Sequence, residues 1–140
     1  MARRRLKFDG VEVGDEAPVV SHKLTRTDLT RYAGASGDFN PMHHDELAAK
    51  AAGLPSVFGH GMFSAGLLGR ALTDYVGIGN LASYKVRFTK QTWPDEVLST
   101  RVVVKAKRDD SDGQLVDLEC SLVNEDGEVK VAGEAVAHAD

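Results

Sequence analysis

Gly61-Met62-Phe63-Ser64-Ala65-Gly66-Leu67-Leu68-Gly69-Arg70-Ala71-Leu72-Thr73-Asp74-Tyr75-Val76 repeats apolar residues at helical spacing through Met62, Ala65, Leu68, Leu72 and the Tyr75/Val76 pair. Phe63, Leu67 and Ala71 cover a second side. A helix apolar around most of its circumference is wrapped by other structure. From Leu81 the period changes to two, with Tyr84, Val86 and Phe88 on one face and Lys85, Arg87 and Thr89 on the other, which reads as a strand. Trp93-Pro94-Asp95 is a turn, and residues 97–106 form a β-branched run. Asp110-Ser111-Asp112-Gly113 and Asn124-Glu125-Asp126-Gly127 each end in Asp-Gly and flank residues 115–123, so three strands should join as an antiparallel meander ending near His138. The expected architecture is α+β: an antiparallel sheet curling around one long buried helix, with residues 1–140 as a single domain.

Working back from the helix, residues 17–25 read as a strand with Pro18 near its start. Thr27 is a plausible N-cap for a helix carrying Leu29, Tyr32 and Ala33, with Gly34 and Gly37 as places to stop. Asp45 can cap a short helix over residues 46–52, ended by Gly53-Leu54-Pro55. A sheet of this kind has edges, so pairing with a second copy or a related chain is expected.

Composition narrows the function classes. Across 140 residues, 42% are hydrophobic and 27% charged, an ordinary globular balance. The net charge of −4, with Arg3-Arg4-Arg5 the one basic cluster, does not suggest a nucleic-acid surface. Cys120 is the only cysteine, which excludes an intramolecular disulfide and a thiolate metal framework. No run approaches the roughly 20 apolar residues of a membrane span, and the basic start lacks an apolar leader, so a cytoplasmic protein is expected.

Between the first helix and the second lies Ser36-Gly37-Asp38-Phe39-Asn40-Pro41-Met42-His43-His44. Asn-Pro biases residue 40 away from the helical region, and Asp38 and Asn40 can bond nearby backbone, so the segment should turn sharply. That turn could aim Asp38 and His43 at one point. Further on, Gly59-His60-Gly61-Met62 opens the long helix, and a helix start offers unpaired N–H donors to a developing negative charge.

Tyr32-Ala33-Gly34-Ala35-Ser36-Gly37-Asp38-Phe39-Asn40-Pro41-Met42-His43 resembles the signature of the MaoC-like dehydratases, also called (R)-specific enoyl-thioester hydratases, which have the hot-dog fold. Phe58-Gly59-His60-Gly61-Met62 is similar to the family's second element, and the resemblance extends over residues 11–137. It implies a hydro-lyase of fatty acid metabolism: reversible syn addition of water to a trans-2-enoyl thioester of coenzyme A or acyl carrier protein, giving the (3R)-hydroxyacyl thioester. By the same resemblance Asp38 and His43 match the catalytic pair, Asn40 an orienting amide, and Gly61 the glycine whose backbone N–H binds the thioester oxygen. No metal and no cofactor beyond the substrate's own carrier is implied, and the expected partner is a second hot-dog chain, identical or related.

The chemistry fits those residue types. Adding water to C3 needs a base for the water, an acid for C2, and donors for the enolate oxygen. Plainer readings stand beside this one. Asp38 and Asn40 could be turn-formers only, His44 an exposed neighbour, and His60 either a site-lining group or a packing residue. A metal set drawn from His43, His44, Asp45 and His60 has poor spacing. Ser36 and Ser64 have no base partner apart from the same histidine, and no Gly-x-Ser-x-Gly elbow is present. Lys85, Arg87 and Lys90 could meet phosphates or an acidic carrier, or simply face water. The functional alternatives are a non-catalytic thioester-binding or structural subunit of a heterodimeric dehydratase, and a hot-dog thioesterase.

Overall fold

The computed structural model describes residues 5–140. Within the Arg3-Arg4-Arg5 cluster, Arg3 and Arg4 lie outside the described residues. Arg5 bonds the Asn80 side chain and the Asp140 carboxylate.

The chain runs β1 (Ser21–Lys23), α1 (Arg26–Ser36), α2 (Glu46–Ala51), α3 (Gly61–Val76), β2 (Leu81–Phe88), β3 (Val97–Asp110), β4 (Gly113–Val123) and β5 (Val129–His138). All strand pairs are antiparallel, in the order β1-β3-β4-β5-β2. The last three strands form the expected meander, and β1 and β2 are the edges. α3 lies across this sheet, packing against β2 to β5. Ala65, Leu68, Ala71, Leu72 and Val76 are buried on its sheet side, and each fully buried leucine contributes roughly 1.5–3 kcal/mol. This is the hot-dog arrangement. Met62 departs from the expected apolar face and is 61% exposed. Among the described residues no helix is long and apolar enough to cross a membrane.

Several boundaries differ from the sequence reading, and three have a reason visible in the structure. The first strand is short: Pro18 has no N–H, and the Thr100 hydroxyl rather than a carbonyl accepts from Val20 N. Residues 17–20 run beside β3 with only intermittent ladder bonds. α1 is capped by Thr25 instead of Thr27, because Asp28 three residues on completes a reciprocal capping box with Thr25. The helix passes through Gly34 and stops at Gly37, whose φ of 76° suits glycine. β3 continues to Asp110, with Arg108 bonding Asp117 across the hairpin. Phe88 also departs from the alternation. It is 50% exposed at the end of edge strand β2 and lies over Gly61.

Among the described residues, one charged side chain sits wholly inside this frame. Lys130 on β5 is 1% exposed and donates to Glu96, Glu128 and the Gln91 carbonyl. Burial pulls its pKa down, and the bonds to Glu128 and Glu96 outweigh that and hold it above the usual lysine value. The pairing pins the connection between β2 and β3 to the sheet.

Candidate active site

Two loops meet at the start of α3. In the first, α1 ends at Gly37 and Asp38 follows, its amide donating to the Ser36 hydroxyl. Asn40 N donates to Asp38 Oδ1, and Asn40 Oδ1 accepts from Met42 N to open a 3-10 turn over Pro41–His43. In the second loop, Phe58 N donates to the Met42 carbonyl and Gly59 N to the Thr92 carbonyl. A β-carbon on Gly59 would fall on the Thr92 hydroxyl, so only glycine lets these strands of chain touch. α3 then begins at Gly61, with His60 as an N-cap that makes no side-chain bond to the helix.

Side chains complete the stitching. His43 Nδ1 donates to the Phe58 carbonyl at 2.6 Å, and His60 Nε2 donates to the Asp38 carbonyl at 3.1 Å. A carbonyl only accepts, so these bonds put an N–H on His43 Nδ1 and on His60 Nε2, and in the neutral form of each ring His43 Nε2 and His60 Nδ1 are acceptors. The two imidazoles stack with centroids 3.9 Å apart. His43 Nε2 faces Asp38 Oδ2 at 4.0 Å. That gap is too long for a hydrogen bond and, with the imidazole neutral, joins two acceptors. One water with both O–H bonds about 2.8 Å from its partners would span it at an angle near 90°, close to its own H–O–H angle.

The sequence-predicted residues therefore separate by geometry. Asp38 and His43 come together, one half exposed and one buried. His60 packs against His43 and bonds the turn, serving the structural reading while touching the pair. Asn40's side chain caps the 3-10 turn, and only its backbone bonds Asp38. His44 turns away to the Phe39 carbonyl, and Asp45 caps α2. Gly61 opens α3 beside a cavity of about 300 Å³ lined by Phe58, Gly59, Ser64, Phe88 and Thr92. Cys120 is no nucleophile, since burial pushes its thiol up to about 11.

Residues 12–125 match the MaoC like domain. The chain belongs to the MaoC-like family. Over 122 residues this MaoC-like chain is 38% identical to the 3-hydroxyacyl-thioester dehydratase Y of Mycobacterium tuberculosis, covering 78% of the chain and 41% of that relative. The chain thus spans less than half the length of that curated relative. Among solved structures, the R-hydratase PhaJ1 of Pseudomonas aeruginosa is 27% identical with a TM-score of 0.81, covering 97% of this chain and 88% of that one. The (R)-hydratase from A. caviae involved in PHA biosynthesis is 26% identical with a TM-score of 0.82, covering 93% and 98%.

The buried His60 gives this MaoC-like chain a measurable pH response. Burial holds its pKa below the usual imidazole value, the neighbouring His43 ring adds to that, and the bond to the Asp38 carbonyl partly offsets both. The unfolded chain protonates His60 near pH 6.5, before the folded one does, so stability is whole above that pH and falls below it. The slope from this group is at most about 1.4 kcal/mol per pH unit. His60→Gln is expected to flatten the pH dependence of the melting temperature below about pH 6.5. Parallel curves for parent and variant would contradict it.

Thr92 and Lys130 are the parts of this region that the sequence did not single out. Thr92 touches Gly59 and Lys130 bonds Glu96, both distant in the chain, so no local pattern marks them.

Proposed function

We propose that the chain hydrates trans-2-enoyl thioesters reversibly, giving (3R)-hydroxyacyl thioesters of coenzyme A or acyl carrier protein. The observation that carries this reading is the 4.0 Å gap between two acceptors, Asp38 Oδ2 and His43 Nε2, which fits one donating water. A water so held keeps its lone pairs free to attack C3, while one acceptor takes its proton and the pair supplies the proton for C2. In this reading the Gly61 N–H at the start of α3 donates to the oxygen on which enolate charge develops, without reorganising. The names of the related dehydratase and (R)-hydratases support the same reaction class.

The reaction so written uses no metal or dissociable cofactor. Asp38, His43 and His60 do offer ligand atoms within 4.8 Å of one another. An imidazole binds a metal in its ring plane, however, and two rings stacked at 28° do not send their lone pairs to one ion about 2.1 Å from each. The working form in this reading is a cytoplasmic pair of hot-dog chains, identical or related, associating through a sheet edge.

Incubating the purified chain with crotonyl-CoA and a series of longer enoyl thioesters tests the proposal. Loss of the conjugated enoyl absorbance without release of free thiol is expected. Unchanged absorbance across the series would favour a non-catalytic subunit, and thiol release a thioesterase; either result would sink the hydratase reading.

A further inference from the structure

Three buried side-chain polar atoms have no partner among the described residues: His60 Nδ1, Ser64 Oγ and Thr92 Oγ1. All three surround the first turn of α3. His60 is the N-cap, Ser64 the fourth helical residue, and Thr92 lies against Gly59. Folded chains keep few such groups, since each carries a desolvation cost. Their collection at one helix start points to a ligand.

Ser64 is the informative member. A serine inside a helix ordinarily turns its hydroxyl back to the carbonyl four residues earlier, here that of His60, which the Ser64 amide already contacts at 3.3 Å. The hydroxyl instead has no partner, although the residue is only 2% exposed. Residues three apart share a helix face, and helical side chains tilt toward the N-terminus. Ser64 therefore projects over Gly61, and both line the cavity of about 300 Å³. At Gly61 a β-carbon would come within 3.2 Å of the Phe88 ring. Glycine leaves amide and hydroxyl in one space.

Resting on the hydratase reading, we propose that Ser64 is a further catalytic residue, whose hydroxyl donates to the thioester carbonyl oxygen alongside the Gly61 N–H. Its hydrogen bond strengthens as the oxygen gains charge, so its contribution falls on the transition state. The desolvation cost of the idle hydroxyl is then the stability the fold gives up for activity.

Ser64→Ala separates this role from a structural one. Removing an unpartnered buried hydroxyl in favour of a strong helix former should leave the melting temperature unchanged or higher. The expected kcat is about 10²-fold lower with KM little altered. In an Asp38→Asn background, which spares the ligand from turnover, the carbonyl of a carbon-13-labelled enoyl thioester should move downfield on binding. Adding Ser64→Ala should shrink that shift. An unaltered kcat, a rate loss matched by a lower melting temperature, or a carbonyl shift indifferent to Ser64 would overturn the inference. If the carbonyl shift depends on Ser64 and yet the parent chain hydrates nothing, the hydratase reading fails while the Ser64 contact stands.

Discussion

Asp38→Asn is expected to lower kcat for enoyl thioester hydration by about 10²–10⁴-fold, the range lost when a positioned acid or base is removed. KM should change little, because the carboxylate acts on water in the transition state and not on bound substrate. Its side chain is 51% exposed, so an amide of the same shape leaves packing intact. The variant does change the character of the pair. An amide can present N–H where Oδ2 accepted, and the bridging water then meets a donor on one side. His43→Gln should cost activity on the same scale, with a further stability loss of about 1 kcal/mol, because the His43 bond to the Phe58 carbonyl goes with it. Steady-state kinetics with parallel thermal melts check both. Activity falling only in step with stability would reduce the pair to turn-formers.

The largest stability effect is expected at the buried cation on β5. Lys130→Met keeps the length of the side chain and removes its charge, leaving Glu96 facing the sheet interior without its cation. Glu96 is 13% exposed, and its other contacts are the Trp93 amide and the Asn124 side chain. Breaking one half of a buried pair costs about 3–5 kcal/mol, readable as a lower denaturant midpoint. Adding Glu96→Gln should recover part of the loss, since the stranded charge disappears. If the single variant were as stable as the parent, the pairing would be incidental to the fold.

α3 was legible in the sequence because its signal is local. Gly61 and Val76 bound one apolar helical period, and the helix spans those residues. The Asp-Gly hairpins were legible for the same reason, as both turns carry their own backbone chemistry. Where partners lay far away, local reading fell short. The strand expected over residues 17–25 shrank to three residues because its ladder depends on β3, eighty positions later, and on a threonine hydroxyl there. Thr25 displaced Thr27 as a cap through a rule the sequence did contain, the acidic residue three positions on. At the site, the nearness of Asp38 to His43 was expected from one tight turn. The bonds that fix it, from His43 to Phe58 and from His60 to Asp38, join two segments and could be seen only in three dimensions.

Hydration in water enriched in oxygen-18 puts the shared-water geometry to the plainest trial. A trans-2-enoyl thioester turned over by the purified chain should carry the heavy oxygen on C3 of a (3R)-hydroxyacyl thioester, and His43→Gln should slow that labelling by the same factor as kcat. Heavy oxygen in a free carboxylate, label on a (3S) product, or labelling indifferent to His43 would contradict it.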